Sequence, residues 1–506
     1  MPVFRWIRSF MVISSAVVLL LIAGEAAVRI AGAFSSVGGR EDPDAFHLYI
    51  VGASTAQGVP YQPLSFGDMV FAMFEGTLEG RRIQIHNLAR SGDTVYTQWV
   101  RFIQAVRARD TDIPGAVLIY AGHNDGSGGL DLVEIDASTR LERVICHHSA
   151  LGLATIYGVR RLLHRSAANG QDSYEYYLTA VMETAREAGL TPFVSTVISN
   201  VSDLEPNYIT EDREGVRRAI EAAGPQVAAG ACEEAQRILT EALPEGRGRD
   251  AFGAYRTARC LEDRGRYPQA LEAFWRAVEL DPRTPFGRAT PGQNALVTRL
   301  AREQEVPLVD AVAAFQRATP HGLVGGALFS DGQHPNLRGH LLLAVAFAEA
   351  IALQLDAPIL RRFEGPEEVR AAFPSDDPRF PALHGGSWLL ASSLQHPWPE
   401  DRLRLAEARF REALEIDPDS FTGWMGLGLV LAGRTSSLLQ RPEVIEQIDH
   451  WGGNTYHGFS VPGEELDSLL ELLRSVDVDP TVLAGIERTH PDRQQGSRAG
   501  PAAGGQ

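Results

Sequence analysis

Four short segments carry residue types that could perform nucleophilic acyl chemistry: Gly52-Ala53-Ser54, Asn87 to Gly92 (NLARSG), Gly122-His123-Asn124-Asp125, and Asp331-Gly332-Gln333-His334. Such chemistry needs a nucleophile, a base, a group that orients the base, and donors for a developing oxyanion. Ser54 is the candidate nucleophile. It follows the strand-like run HLYIVG, at the strand end where open α/β sheets bind ligands. Taken alone it would equally suit a helix cap. His334 is the candidate base, and Asp331, three residues earlier, can accept from Nδ1 while Nε2 faces the serine. Pro335 stiffens that turn. His340 is a second candidate base, ranked lower because Leu337 stands three residues before it. It is expected to start the last helix of its domain. The oxyanion donors expected are the backbone N–H of Ser54, the backbone N–H of Gly92 and the side-chain amide of Asn124. By itself Asn124 would read as a turn residue, and Asp125 is read as structural.

Elements that could position these groups alternate along the chain. Candidate strands are 47–52, 83–88, 116–121 (AVLIYA), 193–198 (FVSTVI) and 306–309, with helices between them, such as 98–109 and 173–188. Strands apolar on both faces suit a parallel sheet covered by helices on each side. The pattern breaks over 205–292, which reads as successive helices. There Gly265, Tyr267-Pro268-Gln269-Ala270, Phe274, Ala277, Leu280 and Pro282 match the second half of a tetratricopeptide unit. Ala406, Phe410, Ala413, Ile416 and Pro418 repeat the spacing, and Trp424-x-x-Leu427-Gly428-x-x-Leu431 matches the opening helix of a further unit. Generic helical packing would leave some of the same spacing. The repetition favours true repeats, whose concave grooves bind protein partners.

The four segments resemble the four blocks of the SGNH/GDSL hydrolase superfamily. On that resemblance Ser54, Gly92, Asn124 and His334 take the family's block positions, with Asp331 completing a triad; Asn87 and His123 also fit. Ala53 stands where the Gly-Asp-Ser version has Asp. The stretch Phe329 to His340 is the most specific of the four. The resemblance spans 46–206 and 294–355 and omits the repeat-like helices. It implies a flavodoxin-like three-layer α/β/α domain with a parallel sheet, no metal or cofactor, and acyl or acetyl esters of lipids, glycans or small molecules as substrates. The division expected is a signal anchor at 1–34, the hydrolase domain at 44–206 and 290–356, an inserted helical region at 207–289, a C-terminal helical region at 357–485 and a disordered tail at 486–506.

Composition narrows the alternatives. The 506-residue chain has 44% hydrophobic and 22% charged residues and a formal net charge of −17, with no long basic run. Nucleic-acid binding needs clustered Lys and Arg, so no nucleic-acid partner is expected. The three cysteines, Cys146, Cys232 and Cys260, form no CxxC pair. They are read as small buried residues rather than a disulfide, and Cys146-His147-His148 is not read as a metal site. Arg5 and Arg8 precede the uncharged run 10–24, somewhat shorter than the ~17–25 residues of a full span. The run is read as an uncleaved signal anchor in preference to a peptide cleaved at Ala31-Gly32-Ala33. The remainder would then face the periplasm or exterior. The leading expectation is an anchored serine esterase. An O-acetyltransferase or deacetylase acting on cell-surface glycans, and a non-catalytic helical-repeat scaffold, are the alternatives.

Overall fold

Strand β1 (Phe46–Gly52) is buried at every position, so it must lie between two covered faces. The computed structural model describes residues 22–28, 42–107, 109–125, 137–163, 170–281, 287–394, 396–452 and 458–492. Most of the apolar N-terminal run, the small-residue sequence at 31–33, Pro282 and the tail beyond 492 lie outside the described residues. The remaining strands are β2 (Thr77–Leu78), β3 (Arg81–Asn87), β4 (Gly115–Tyr120), β5 (Thr191–Ser195) and β6 (Leu308–Val309). They form one sheet in the order β2-β3-β1-β4-β5-β6, parallel throughout except for the short antiparallel edge β2. Ile50 pairs with Asn87 and Gly52 with Tyr120, so β1, β3 and β4 end together on one edge.

Alternation along β1 and β4 sends side chains to opposite faces. Leu48, Ile50 and Leu118 meet Phe66 and Phe347 on one side. Tyr49, Val51, Val117 and Ile119 meet Trp99 and Leu178 on the other. Helices Phe66–Met73 and Leu337–Gln354 therefore cover one face, and Val95–Val106, Gly170–Glu187 and Pro291–Glu303 the other. Among the described helices, Leu337–Gln354 alone is long and apolar enough to cross a membrane. Its buried Leu343, Ala344, Phe347 and Ile351 make it a core helix here.

Several element ends differ from the sequence expectation. The strand expected at 193–198 runs only to Ser195, because the next amides leave the ladder: Val197 N–H donates to Asn294 Oδ1 (2.7 Å) and Ile198 N–H to Tyr120 Oη (3.3 Å). The helix expected from residue 98 begins at Val95, whose N–H is capped by the distant Asp125 carboxylate at 3.0 Å. The tail does not begin at 486, since Ile486 is buried within helix Pro480–Thr489.

Between β5 and β6, ahead of the sheet-covering helix Pro291–Glu303, come Arg213–Ala229, Cys232–Ala242, Arg249–Asp263 and Tyr267–Leu280. After the core helix come the short Pro366–Ala372, then Phe380–Leu394, Glu400–Ile416 and Phe421–Thr435, then further short helices. The two helical regions meet at Glu205, which accepts from the Asp401 and Arg402 amides (2.5 and 3.1 Å) at the start of helix Glu400–Ile416. Tyr255 of the inserted region donates to Asp401 Oδ2 at 2.8 Å.

One expectation is overturned. Cys232 and Cys260 are disulfide-bonded, with Cα atoms 5.7 Å apart. The first turn of helix Cys232–Ala242 meets the last turn of Arg249–Asp263, a tertiary contact that the spacing of the two cysteines does not signal. Cys146 stays a buried thiol. Thiol titration of the denatured chain is expected to find one reactive thiol without reductant and three with it; three without reductant would refute the pairing. Replacing both partners by Ala should cost about 2–4 kcal/mol and lower the thermal midpoint.

Candidate active site

Three of the groups singled out, Ser54, His334 and Asp331, meet at the C-terminal edge of the sheet. Ser54 opens the short helix Ser54–Gln57 directly after β1 and is 7% exposed. The turn before it requires Gly52, because a Cβ there would lie 2.4 Å from the Tyr120 carbonyl oxygen. Ser54 Oγ lies 2.8 Å from His334 Nε2, and His334 Nδ1 lies 2.6 Å from Asp331 Oδ2. A carboxylate only accepts, so Nδ1 carries the proton and Nε2 is the acceptor facing the serine hydroxyl.

Asp331 is fully enclosed. Its other oxygen accepts from the backbone N–H groups of Gln333 and His334, both at 2.8 Å. Burial pushes this carboxyl up, but the neighbouring His334, through charge and hydrogen bond, more than offsets it, with help from His384. The carboxyl is held below its ordinary value and stays ionised.

The second block is pinned to the first. Asn87 Nδ2 donates to Ala56 O (3.1 Å), and Gln57 Oε1 accepts from both the amide and the hydroxyl of Ser91 (2.8 Å each). Gly92, at φ +82°, is exposed and has no atom within 4 Å of where a Cβ would sit. Asn124 Nδ2 donates to Asp93 O at 3.0 Å, which ties the third block to the Gly92 loop.

His340 does not join this group. Its Nε2–H donates to Val59 O at 3.1 Å, and it sits in the first turn of the core helix, which Asn336 caps by accepting from Gly339 N–H. His123 is likewise occupied. Its Nε2–H donates to Ile198 O at 3.1 Å, and burial, with the His334 charge nearby, brings its pKa down to about 4.

Three sets of supporting residues were not singled out from the sequence. Asn200, after β5, donates through its amide to Asp331 O (3.3 Å) and through its N–H to Gly332 O (3.0 Å). Gln293 donates to Gly122 O and Asp125 O (3.2 and 3.3 Å), bracing the Asn124 loop. Thr290-x-x-Gln293 is a capping box that the sequence does display. The third set comes from helix Phe380–Leu394. The His384 ring stands edge-on to His334 at 5.9 Å, and the Trp388 ring fills the space where a Gly332 Cβ would be. No local pattern announces that contact. Among the described residues no group of three or more His, Cys, Asp or Glu could hold a metal ion.

No protein-family model matches the chain, and no curated protein sequence does. Solved structures similar to it include a GDSL-like lipase from Bacteroides thetaiotaomicron (11% identity, covering 65% of this chain and 95% of the other, TM-score 0.30). Others are an acetylxylan esterase from Geobacillus stearothermophilus (14% identity, 61% and 96%, TM-score 0.31) and a lipase/acylhydrolase from Enterococcus faecalis (13%, 62% and 98%, TM-score 0.29). At these TM-scores the likeness assigns no residue a role.

The buried histidines set an acid limit. Burial brings His123 and His340 to about 4, and His396 to about 3, from an ordinary 6.5. A base with a depressed folded pKa contributes stability that is fully present above its unfolded value and lost as pH falls toward its folded value. The urea midpoint should therefore be flat near pH 7 and fall from about 6.5 downward, with at most ~1.4 kcal/mol per pH unit from each ring. His396→Gln should give a shallower decline. Equal slopes for the variant and the wild type would refute this account.

Proposed function

We propose that the chain is an SGNH-type serine esterase using Ser54, His334 and Asp331. The observation that carries this reading is the continuous hydrogen-bonded chain from Ser54 Oγ through the His334 ring to the enclosed Asp331 carboxylate, at 2.8 and 2.6 Å. In the first half-reaction Ser54 Oγ attacks the ester carbonyl carbon while its proton passes to His334 Nε2. The ionised Asp331 stabilises the imidazolium that forms. Negative charge collects on the carbonyl oxygen, where the Ser54 and Gly92 N–H groups and the Asn124 amide donate. The tetrahedral adduct collapses, and the alcohol leaves with the proton from His334. Water, deprotonated by His334, then attacks the acyl-serine and releases the acid.

The site is read as extracytoplasmic and membrane-anchored, with Arg5, Arg8 and the apolar run 10–24 as the anchor. The Cys232–Cys260 disulfide favours an oxidising compartment, where such bonds persist. The inserted and C-terminal helices are read as tetratricopeptide-like, a reading supported by enclosed Ala270, Phe274 and Ala277 in one region and Ala406, Phe410 and Ala413 in the other. Their proposed role is to carry a protein partner beside the esterase.

Hydrolysis of p-nitrophenyl acetate by the purified chain tests the catalytic assignment. Ser54→Ala should abolish it, and a wild-type rate in that variant would end the proposal. Asn124→Ala should lower kcat about 10²–10³-fold with little change in KM. Asp331→Asn should lower kcat about 10⁴-fold through the wrong histidine tautomer.

A further inference from the structure

The first helix of the hairpin that follows the Asn124 segment, Ala137–His148, meets helix Gly170–Glu187 through partly exposed pairs: Arg143 with Glu183, and His147 Nε2 at 2.9 Å from Glu187. Cys146 is buried on that side, and its carbonyl accepts from Arg107 at 2.5 Å. The opposite face carries Leu141, Val144 and Ile145, an i, i+3, i+4 set that is 61%, 54% and 37% exposed, with exposed His148 one turn on. A helix in water normally shows its apolar stripe to the core and its charges to solvent. Here the stripe faces out. Val159, on the partner helix Ala150–Leu163, is also exposed.

The N-terminal segment docks at the corner of this hairpin. The Glu25 carboxylate accepts from Ser149 Oγ (2.8 Å) and from the Ala150 and Leu151 amides (2.8 and 2.9 Å), the start of helix Ala150–Leu163. Gly24 packs against Leu151, and Ile22 is 60% exposed. The Glu25 charge, which follows the apolar run directly in sequence, is thereby neutralised by a helix N-terminus. The exposed stripe is thus joined, through Ile22 and Ala23, to the uncharged run 10–24.

We propose that this hairpin is a membrane-contacting platform. Leu141, Val144 and Ile145, with Val159 and Ile22, rest in the interfacial layer of the bilayer that receives the N-terminal run. The inference rests on the anchor reading above. The occupant is a lipid surface because the apolar run ends on the platform itself, so a chain held by that run brings the stripe to the same membrane. An exposed apolar stripe of this kind is the pattern of helices that lie in a bilayer surface.

The test uses the full chain in phosphatidylcholine/phosphatidylglycerol vesicles, in a Cys146→Ser background. An environment-sensitive nitrobenzoxadiazole probe is attached at Val144→Cys or, as control, at Leu353→Cys, which is 87% exposed on the core helix. The probe at 144 should shift its emission to the blue and be quenched by doxyl-labelled lipid, whereas the probe at 353 should not. Adding Leu141→Glu and Ile145→Glu should reduce the quenching several-fold and leave p-nitrophenyl acetate hydrolysis unchanged. A probe at 144 as wet as the control, or one that cross-links to a second copy of the chain, overturns the platform. Carbonate extraction of the unlabelled chain reads the anchor separately. A retained chain with an unquenched probe overturns the platform alone, and a released chain overturns both. Neither result bears on the Ser54 assignment.

Discussion

The enclosed Asp331 carboxylate organises the C-terminal edge of the sheet around Ser54 and His334. One of its oxygens takes two backbone N–H groups of its own turn and the other takes the His334 ring. Those bonds fix the turn and the ring together, so the imidazole cannot reorient without leaving a buried charge uncompensated, a loss of several kcal/mol. Groups distant in the chain enclose that carboxylate. Asn200 holds the carbonyls of Asp331 and Gly332, and helix Phe380–Leu394 stands beside the His334 ring. Ser54 meets a ring whose position was already determined by groups far from it in sequence.

The sequence carried the chemistry-bearing residues because each follows a strand or sits on a tight polar turn, and such positions obey local rules. Asp331-x-x-His334 is a spacing that a single turn brings into contact. β1 and β4 were legible because unbroken apolar runs suit doubly covered strands. What was hidden depends on partners distant in the chain. Val95 begins a helix because Asp125 caps it, and β5 ends early because Asn294 and Tyr120 take its next amides. The Cys232–Cys260 bond needs two helices to stack first. The His384 and Trp388 contacts arise from a region that, by itself, reads only as helix.

Charge joins the two helical regions at one buried point. Arg402 and Glu205 are almost wholly enclosed, and the Arg402 guanidinium donates to the Glu205 carbonyl at 2.5 Å while the Glu205 carboxylate caps the helix that carries Arg402. Burial, with Asp401 close by, pushes the Glu205 carboxyl upward. Nearby Arg288 pairs with Asp281 at 2.8 Å and reaches the carbonyls of Asn200 and Leu204, both at 3.1 Å. The segment from Asn200 to Glu205 therefore touches the Asp331–His334 turn, the inserted helices and the C-terminal helices at once. Such desolvated pairs add little net stability, but they penalise any other register between the elements they join.

Gly332 has a consequence for how this protein can be divided. Its missing side chain is replaced in space by the indole of Trp388, which also packs with Leu204 and Phe410 in the C-terminal core. A fragment cut where the α/β portion ends would bare that seam beside His334 and leave a loose wall around the charged turn. The helices after the sheet are thus part of the enclosure of that turn, and their displacement would reach the imidazole directly.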